Sequence, residues 1–247
     1  MTRGATLVLM LTICAGSAQA VECSQTTFND ADYTICEVDA AREQLELFLR
    51  DDEDEILGQF SAVDRFMERR GLRLSFAMNA GMYHDDRAPV GYYLEDGEES
   101  MRVVSNAGPG NFGLLPNGIF CIRNGRADVI ETLAFLDAAP ECIDATQSGP
   151  MLVIDGELHP RFLKDGTSVY IRNGVGTSSD GQRVVFAISD EPVNFYSFGL
   201  LFRDYLNLPN ALFFDGNISR LYAPQLSRSD FGFSLGPIVG VVEQIQP

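Results

Sequence analysis

Leucines recur at every second position within Val38–Arg50, at Leu45, Leu47 and Leu49, which is the period of a strand with one buried face. The acidic run Asp51-Asp52-Glu53-Asp54-Glu55 follows. It lacks the spaced ligands and glycine of an EF-hand loop and reads as a solvated turn. Phe60, Val63, Phe66 and Met67 then repeat at helical spacing, and Gly71 stops that helix. From Ser75 onward short β-prone runs alternate with Gly, Pro and Asn clusters. The runs are Arg102–Ser105, Ile119–Ile122, Asp128–Leu133, Met151–Ile154, Val169–Ile171, Arg183–Ser189 and Ala211–Asp215. One helix interrupts them, with Asn194 as N-cap and Phe198, Leu201, Phe202, Tyr205 and Leu206 as its buried face. Strands with few helices and no regular βαβ spacing predict an α+β fold, a single domain of mixed β-sheets with a few packed helices. No linker, low-complexity tract or internal repeat breaks the chain.

The first twenty residues stand apart. Arg3, the apolar stretch Ala5–Ala15 and Ala18-Gln19-Ala20 form the three regions of a secretory signal peptide, with the mature domain expected over residues 21–247. No later window is long and apolar enough to span a membrane. The expected location is therefore periplasmic or secreted. That changes the meaning of the cysteines. Cys14 leaves with the leader, and Cys23, Cys36, Cys121 and Cys142 remain for an oxidising compartment. Four cysteines allow three pairings, of which the local one, Cys23–Cys36 and Cys121–Cys142, is the simplest. A zinc site would want close C-x-x-C spacing, which is absent. The formal charge of −17, one unit more negative once Arg3 is lost, argues against nucleic acid as a partner. An anionic ligand would need a local cluster of cations and N–H groups.

Gly108-Pro109-Gly110-Asn111-Phe112-Gly113 fits the dinucleotide fingerprint G-x-G-x-x-G, but Leu114–Gly118 after it is turn material where a helix is required. No cofactor is expected, and metal use is left open. Four other segments share one grammar, a hydrophobic strand running into a glycine turn with polar side chains. They are Phe76–Tyr83 (with Asn79 and Gly81), Gln147–Val153 (Gln147, Ser148, Gly149), Ile171–Gly176 (Arg172, Asn173, Gly174, Gly176) and Asn210–Ser219 (Asp215, Gly216, Asn217, Ser219). Such turns expose backbone N–H groups and let a ligand approach the main chain.

In this order the four segments resemble the phosphodiester glycosidase domain family, whose bacterial exported members are similar in N-A-G-M-Y/F, Q-S-G-P-M-L-V, R-N-G-V-G and L-D-G-x-I-S-x-L-Y. The resemblance covers roughly Val38–Val242. The family's lysosomal uncovering enzyme resembles D-G-G-G-S in the last motif, where this chain has Asp215-Gly216-Asn217-Ile218-Ser219. Asn and Ile are bulkier than Gly, so the sugar-side pocket is expected to differ.

The resemblance implies cleavage of the glycosidic bond of a sugar-1-phosphodiester. That reaction needs positive charge and N–H donors at the phosphate, and a carboxylate near the anomeric carbon. Arg172, with the N–H groups of a Gly174–Gly176 turn, is the candidate phosphate clamp. Asp215 is the candidate carboxylate. Asn79, Gln147, Asn173 and Ser219 are candidates for bonding sugar hydroxyls or an acetamido group, with Gly81, Ser148, Gly149, Gly174, Gly176, Gly216 and Asn217 completing the binding set. The only histidines, His84 and His159, are acid/base candidates. Ser148 lacks the G-x-S-x-G elbow of a nucleophile. Two alternatives stay open, a non-catalytic carbohydrate- or envelope-binding protein and a hydrolase of another envelope ester or phosphodiester P–O bond.

Overall fold

The computed structural model describes residues 21–245, and the leader expected over residues 1–20 lies outside the described residues. The chain opens with β1 (Glu22–Phe28), β2 (Ala31–Asp39), β3 (Gln44–Phe48), α1 (Phe60–Glu68) and β4 (Leu72–Asn79). Next come β5 (Tyr93–Glu95), β6 (Glu98–Met101), β7 (Gly118–Arg123), β8 (Arg126–Glu131) and α2 (Thr132–Ala138). Strands β9 (Asp144–Ser148), β10 (Met151–Ile154), β11 (Glu157–Leu158), β12 (Asn173–Thr177) and β13 (Arg183–Ser189) lead to α3 (Phe195–Leu200). The remaining strands are β14 (Asn210–Asp215), β15 (Leu221–Ala223), β16 (Arg228–Ser229) and β17 (Ile238–Gln244).

These form three sheets, ordered β1-β2-β13-β12-β14-β10-β11, β16-β15-β4-β17-β3 and β6-β5-β9-β7-β8. Neighbouring strands pair antiparallel, as short connections favour. The three sheets turn one face each toward a common core. Phe76 of β4 packs 4.7 Å from Phe186 of β13, and Phe120 of β7 lies 5.8 Å from Phe186 and 6.4 Å from Phe214. Each sheet is backed by one helix. α3 and the turn that continues it cover the seven-stranded sheet through Phe198 and Phe202 against Val185 and Phe213. α1 covers β4 through Phe60, Val63 and Met67, and α2 covers the third sheet through Phe135. Strand β13 is buried on both faces, Val184, Phe186 and Ile188 inward and Val185 and Ala187 toward α3, so its sequence is continuously apolar. The α+β single domain read from the sequence is what is found.

Several boundaries differ. Val38–Arg50 is two strands, because the Asp39 carboxylate accepts the Ala41 N–H at 3.0 Å and closes a turn between them. Arg102–Ser105 forms no strand. Its Val104 N–H and C=O are taken by the Gln147 side-chain amide, at 3.0 and 2.7 Å, in place of a neighbouring strand. Val169–Ile171 contributes a single bridge, Tyr170 to Val193. Asn194 caps α3 by accepting the Ser197 N–H at 2.8 Å, but the helix widens into a π turn over Leu201–Tyr205. That change of pitch rotates Tyr205 off the buried stripe, so it is exposed, with its hydroxyl 2.7 Å from Thr26 Oγ1. The β1–β2 hairpin escapes a search for apolar runs because β1 is mostly polar. Its turn is legible afterwards, since Asn29 and Asp30 both adopt positive φ. Both local disulfides are present, Cys23–Cys36 across directly paired positions of that hairpin and Cys121–Cys142 from β7 to the segment before β9. Among the described residues no helix is long and apolar enough to cross a membrane.

Carboxylates concentrate at the start of β9. The Asp144 carboxylate accepts the Asp96 N–H at 2.8 Å, and Glu95 accepts the Tyr93 hydroxyl at 2.7 Å. Burial, with the charges of Asp144 and Asp96 adding, pushes Glu95 up to about 7, and burial pushes Asp144 up to about 6. A carboxyl group whose pKa rises on folding stabilises the fold fully below its unfolded value, and that contribution is lost as pH climbs through the folded value. This cluster should therefore make the protein more stable at pH 5 than at pH 8. Glu95→Gln should raise stability at pH 8 by roughly 2 kcal/mol and narrow the gap between the two pH values, which thermal melts of both proteins would measure. An unchanged gap would show that Glu95 does not titrate in this window.

Candidate active site

All four motif segments meet, and what joins them is a set of buried hydrogen bonds. Asn79 ends β4 in one sheet, and Asn173 begins β12 in another. Asn173 Nδ2 donates to Asn79 Oδ1 and to the Asn79 carbonyl, both at 3.0 Å. Asn173 Oδ1 accepts the Asp215 N–H at 3.1 Å, and Asn79 Oδ1 accepts the Arg220 N–H at 2.9 Å. Ser219 Oγ lies 2.8 Å from the Asp215 carbonyl and 2.9 Å from that of Ile171, so it closes the turn that follows β14. From β9, Thr146 donates to the Ala80 carbonyl at 2.8 Å, Ser148 donates to the Phe214 carbonyl at 2.8 Å, and Gly81 packs against Thr146. Asn79, Asn173, Ser148 and Ser219 thus hold the site's frame, with their polar atoms engaged by protein.

The next residue along β9 faces the other way. Gln147 is buried with its amide saturated, accepting from Tyr92 N and Val104 N and donating to Val104 O and Thr132 Oγ1. It orders the 102–105 segment and does not reach the joint between the sheets. Gly149 packs against Asn117, where a Cβ would come within 2.7 Å of the Asn117 Cβ.

Arg-Asn-Gly-Val-Gly is no turn. Gly174 and Gly176 lie in β12, paired with β13 on one side and β14 on the other. Their peptide groups belong to the ladder, so they cannot cradle a phosphate, which corrects that expectation. A Cβ at Gly174 would meet the Leu212 carbonyl at 2.5 Å. Arg172 is fully buried. Its Nε donates to the Val193 carbonyl at 2.8 Å and Nη2 to the Ser168 carbonyl at 2.9 Å, and its guanidinium lies 3.6 Å from the Phe195 ring centroid. Burial pulls its pKa down to about 10. Nη1 alone has no partner and sits beneath Gly216, 3.6 Å from where a Cβ there would be. Arg172 therefore braces two loops from behind the Asp215 turn, and the expected phosphate clamp does not present its fork to a cleft. His159 is buried further along the same stack, 4.8 Å from Phe162, which lies 5.1 Å from Phe195. It stands on the α3 side of the sheet, away from the Asp215 turn. His84 is exposed in the loop beyond Tyr83.

Asp215 ends β14. Its carboxylate accepts the Asn217 N–H at 2.8 Å and is also held by the N–H groups of Gly216 and Ile218. Burial pushes its pKa above the ordinary aspartate range, against those three bonds. Among the described residues it forms no ion pair. The turn it heads supplies Gly216, Asn217 and Ser219 to an open cleft of about 680 Å³, which Tyr170, Phe231 and Phe233 also line. Two residues absent from the sequence-based site belong here. Tyr83 donates to the Ser234 carbonyl at 3.2 Å, and its pKa is raised by burial and by Asp215, with Arg87 and Arg220 opposing. Arg220 lines the cleft. Among the described residues no group of three or more His, Cys, Asp and Glu is placed to hold a metal ion.

The phosphodiester glycosidase family profile matches residues 73–231, from β4 to Phe231 at the cleft. The chain belongs to the phosphodiester glycosidase family. The protein named Uncharacterized protein YigE of Escherichia coli (strain K12) is 32% identical over 213 residues, covering 86% of this chain and 82% of its own. Among solved structures, the catalytic domain of zebrafish N-acetylglucosamine-1-phosphodiester alpha-N-acetylglucosaminidase, described as auto-inhibited by its pro-peptide, superposes with a TM-score of 0.62 at 14% identity, over 93% of this chain and 85% of that one. A hypothetical protein from Synechocystis gives 0.60 at 10% identity, over 90% and 61%. A putative exported protein from Burkholderia pseudomallei gives 0.55 at 11%, over 85% and 74%. At these identities the structural likeness establishes a shared fold.

Proposed function

We propose that this family member is an exported hydrolase that cleaves the glycosidic bond of a sugar-1-phosphodiester, with Asp215 facing the anomeric carbon. The observation that carries the reading is the position of Asp215, a desolvated carboxylate with no ion-pair partner among the described residues, at the head of the turn that lines the cleft. A phosphate ester is a good leaving group, so the reaction asks more for stabilisation of positive charge on the sugar than for a strong general acid. A preorganised carboxylate supplies it. Two disulfides suit an oxidising compartment and support export.

Turnover of a panel of methyl sugar-1-phosphodiesters in ¹⁸O-labelled water tests the reading. Cleavage of the C–O bond places the label in the released sugar, with methyl phosphate as the other product. Label in phosphate would assign the enzyme to P–O chemistry, and binding without turnover would make it a carbohydrate-binding protein. If Asp215 acts ionised, kcat/KM should fall as pH drops through its folded pKa, with the acid limb above the ordinary aspartate range.

A further inference from the structure

Arg220 is the cation that the cleft leaves open. The residue is 7% exposed and lines the cleft, yet its Nη1 is buried without a hydrogen-bond partner among the described residues. A buried guanidinium atom left unmatched is costly, and native proteins rarely leave one so unless something else fills the place. Asp230 and Tyr83 act on it electrostatically, but the Asp230 carboxylate is already held by Arg228 at 3.1 Å and by the Leu221 N–H at 3.0 Å. Gly232 packs directly on the guanidinium, where a Cβ would come within 2.6 Å of Nη2 and 3.0 Å of Cζ. Any side chain at 232 would displace the cation. On either side of that glycine, Phe231 and Phe233 are 91% and 80% exposed and line the same cleft, as do Val169 and Tyr170, about half exposed. Exposed aromatic side chains grouped around a concavity mark a binding surface.

We infer that Arg220 binds the phosphate of the substrate and that Phe231 and Phe233 receive an apolar alcohol esterified to it, so that the preferred substrates are phosphodiesters joining a sugar to a hydrophobic alcohol. This rests on the glycosidase reading for the sugar side, where Asp215, Asn217 and Ser219 stand. Charge supports the assignment. In a chain of formal charge −17, an anion is drawn to a site that holds an unpaired cation and is repelled elsewhere. The cleft, at about 680 Å³, has room for much more than a phosphate.

Calorimetric titration of the mature chain with inorganic phosphate, hexyl phosphate and glucose 1-phosphate tests this without requiring turnover. Hexyl phosphate should bind at least tenfold tighter than inorganic phosphate. Arg220→Gln should weaken all three at least tenfold, and Arg220→Lys should restore part of the loss. Phe231→Ser with Phe233→Ser should remove the hexyl advantage and leave inorganic phosphate unchanged. Gly232→Ala should weaken phosphate binding and lower the melting temperature as well, because the new Cβ meets the guanidinium and position 232 holds a φ of +154° that suits glycine. Wild-type phosphate affinity in folded Arg220→Gln would overturn the anion site. An advantage for glucose 1-phosphate that disappears with the two phenylalanines would overturn the apolar-alcohol assignment. If no diester is hydrolysed but binding follows this pattern, the glycosidase reading fails, and with it the sugar side, while the anion site at Arg220 and the apolar site at Phe231 and Phe233 stand. If diesters are hydrolysed equally well by Arg220→Gln, the reverse holds.

Discussion

Asp215→Asn is expected to lower kcat on a sugar-1-phosphodiester by roughly 10²–10³, the usual cost of removing one preorganised electrostatic contact from a transition state. The change is nearly isosteric. Oδ1 of the new amide can still accept the Asn217 N–H that holds the turn at 2.8 Å, so the melting temperature should move little. KM should also move little, because the lost charge matters where the sugar becomes cationic and much less in the ground state. Michaelis parameters for the folded variant check this, with circular dichroism as the control. A kcat within twofold of wild type would leave Asp215 with its Asx-turn role alone and shift attention to Tyr83 and His84.

Arg172→Ala should act on stability. The substitution removes a stem and guanidinium packed on Phe195, takes the side-chain donor from the Ser168 carbonyl, leaves the Val193 carbonyl with the Tyr170 N–H alone, and opens a void in the layer under the sheet. A loss of about 3–4 kcal/mol is expected in urea unfolding. Ligand affinities measured on the remaining folded protein should fall together for anionic and neutral sugars, since the damage is to the loops that carry the cleft wall. Arg220→Gln should discriminate between the same ligands. A stable Arg172→Ala protein that loses phosphate affinity selectively would show that Arg172 reaches the ligand after all.

The contrast between the two arginines explains what could be read from the chain. Unbroken β-prone apolar runs located β13 and β14, which are buried on both faces, helical spacing located α1, and the side chain of Asn194 located the cap of α3. The strand-to-glycine grammar located the meeting of the four motifs. It did not tell which polar residues face a ligand and which are consumed by the frame. Gln147 and Ser148 are neighbours, and only the pleat of β9 sends one to the 102–105 segment and the other to the Phe214 carbonyl. Glycines in Gly174-Val175-Gly176 serve close sheet packing, which has the same sequence signature as a ligand-binding turn. Arg220 was invisible for the opposite reason. In Ser219-Arg220-Leu221-Tyr222 it reads as an ordinary surface charge, and its isolation depends on Gly232 and on Arg228 taking Asp230, residues whose proximity only the fold creates.

The strand order around β4 has a consequence for how the molecule is made. β4 carries Asn79, and its two neighbours are β15 and β17, both drawn from the last stretch of the chain. β3, earlier in sequence, joins that sheet only through β17. During synthesis from the N-terminus, the segment bearing Asn79 must therefore wait with both edges bare until nearly every other residue has appeared. No nascent fragment, and no product clipped before Ile238, can hold Asn79 against Asn173 in the finished arrangement. The joint between the two asparagines would then form only once β17 is present, and a polypeptide shortened before it should lack the finished cleft and be prone to aggregation through its open strand edges.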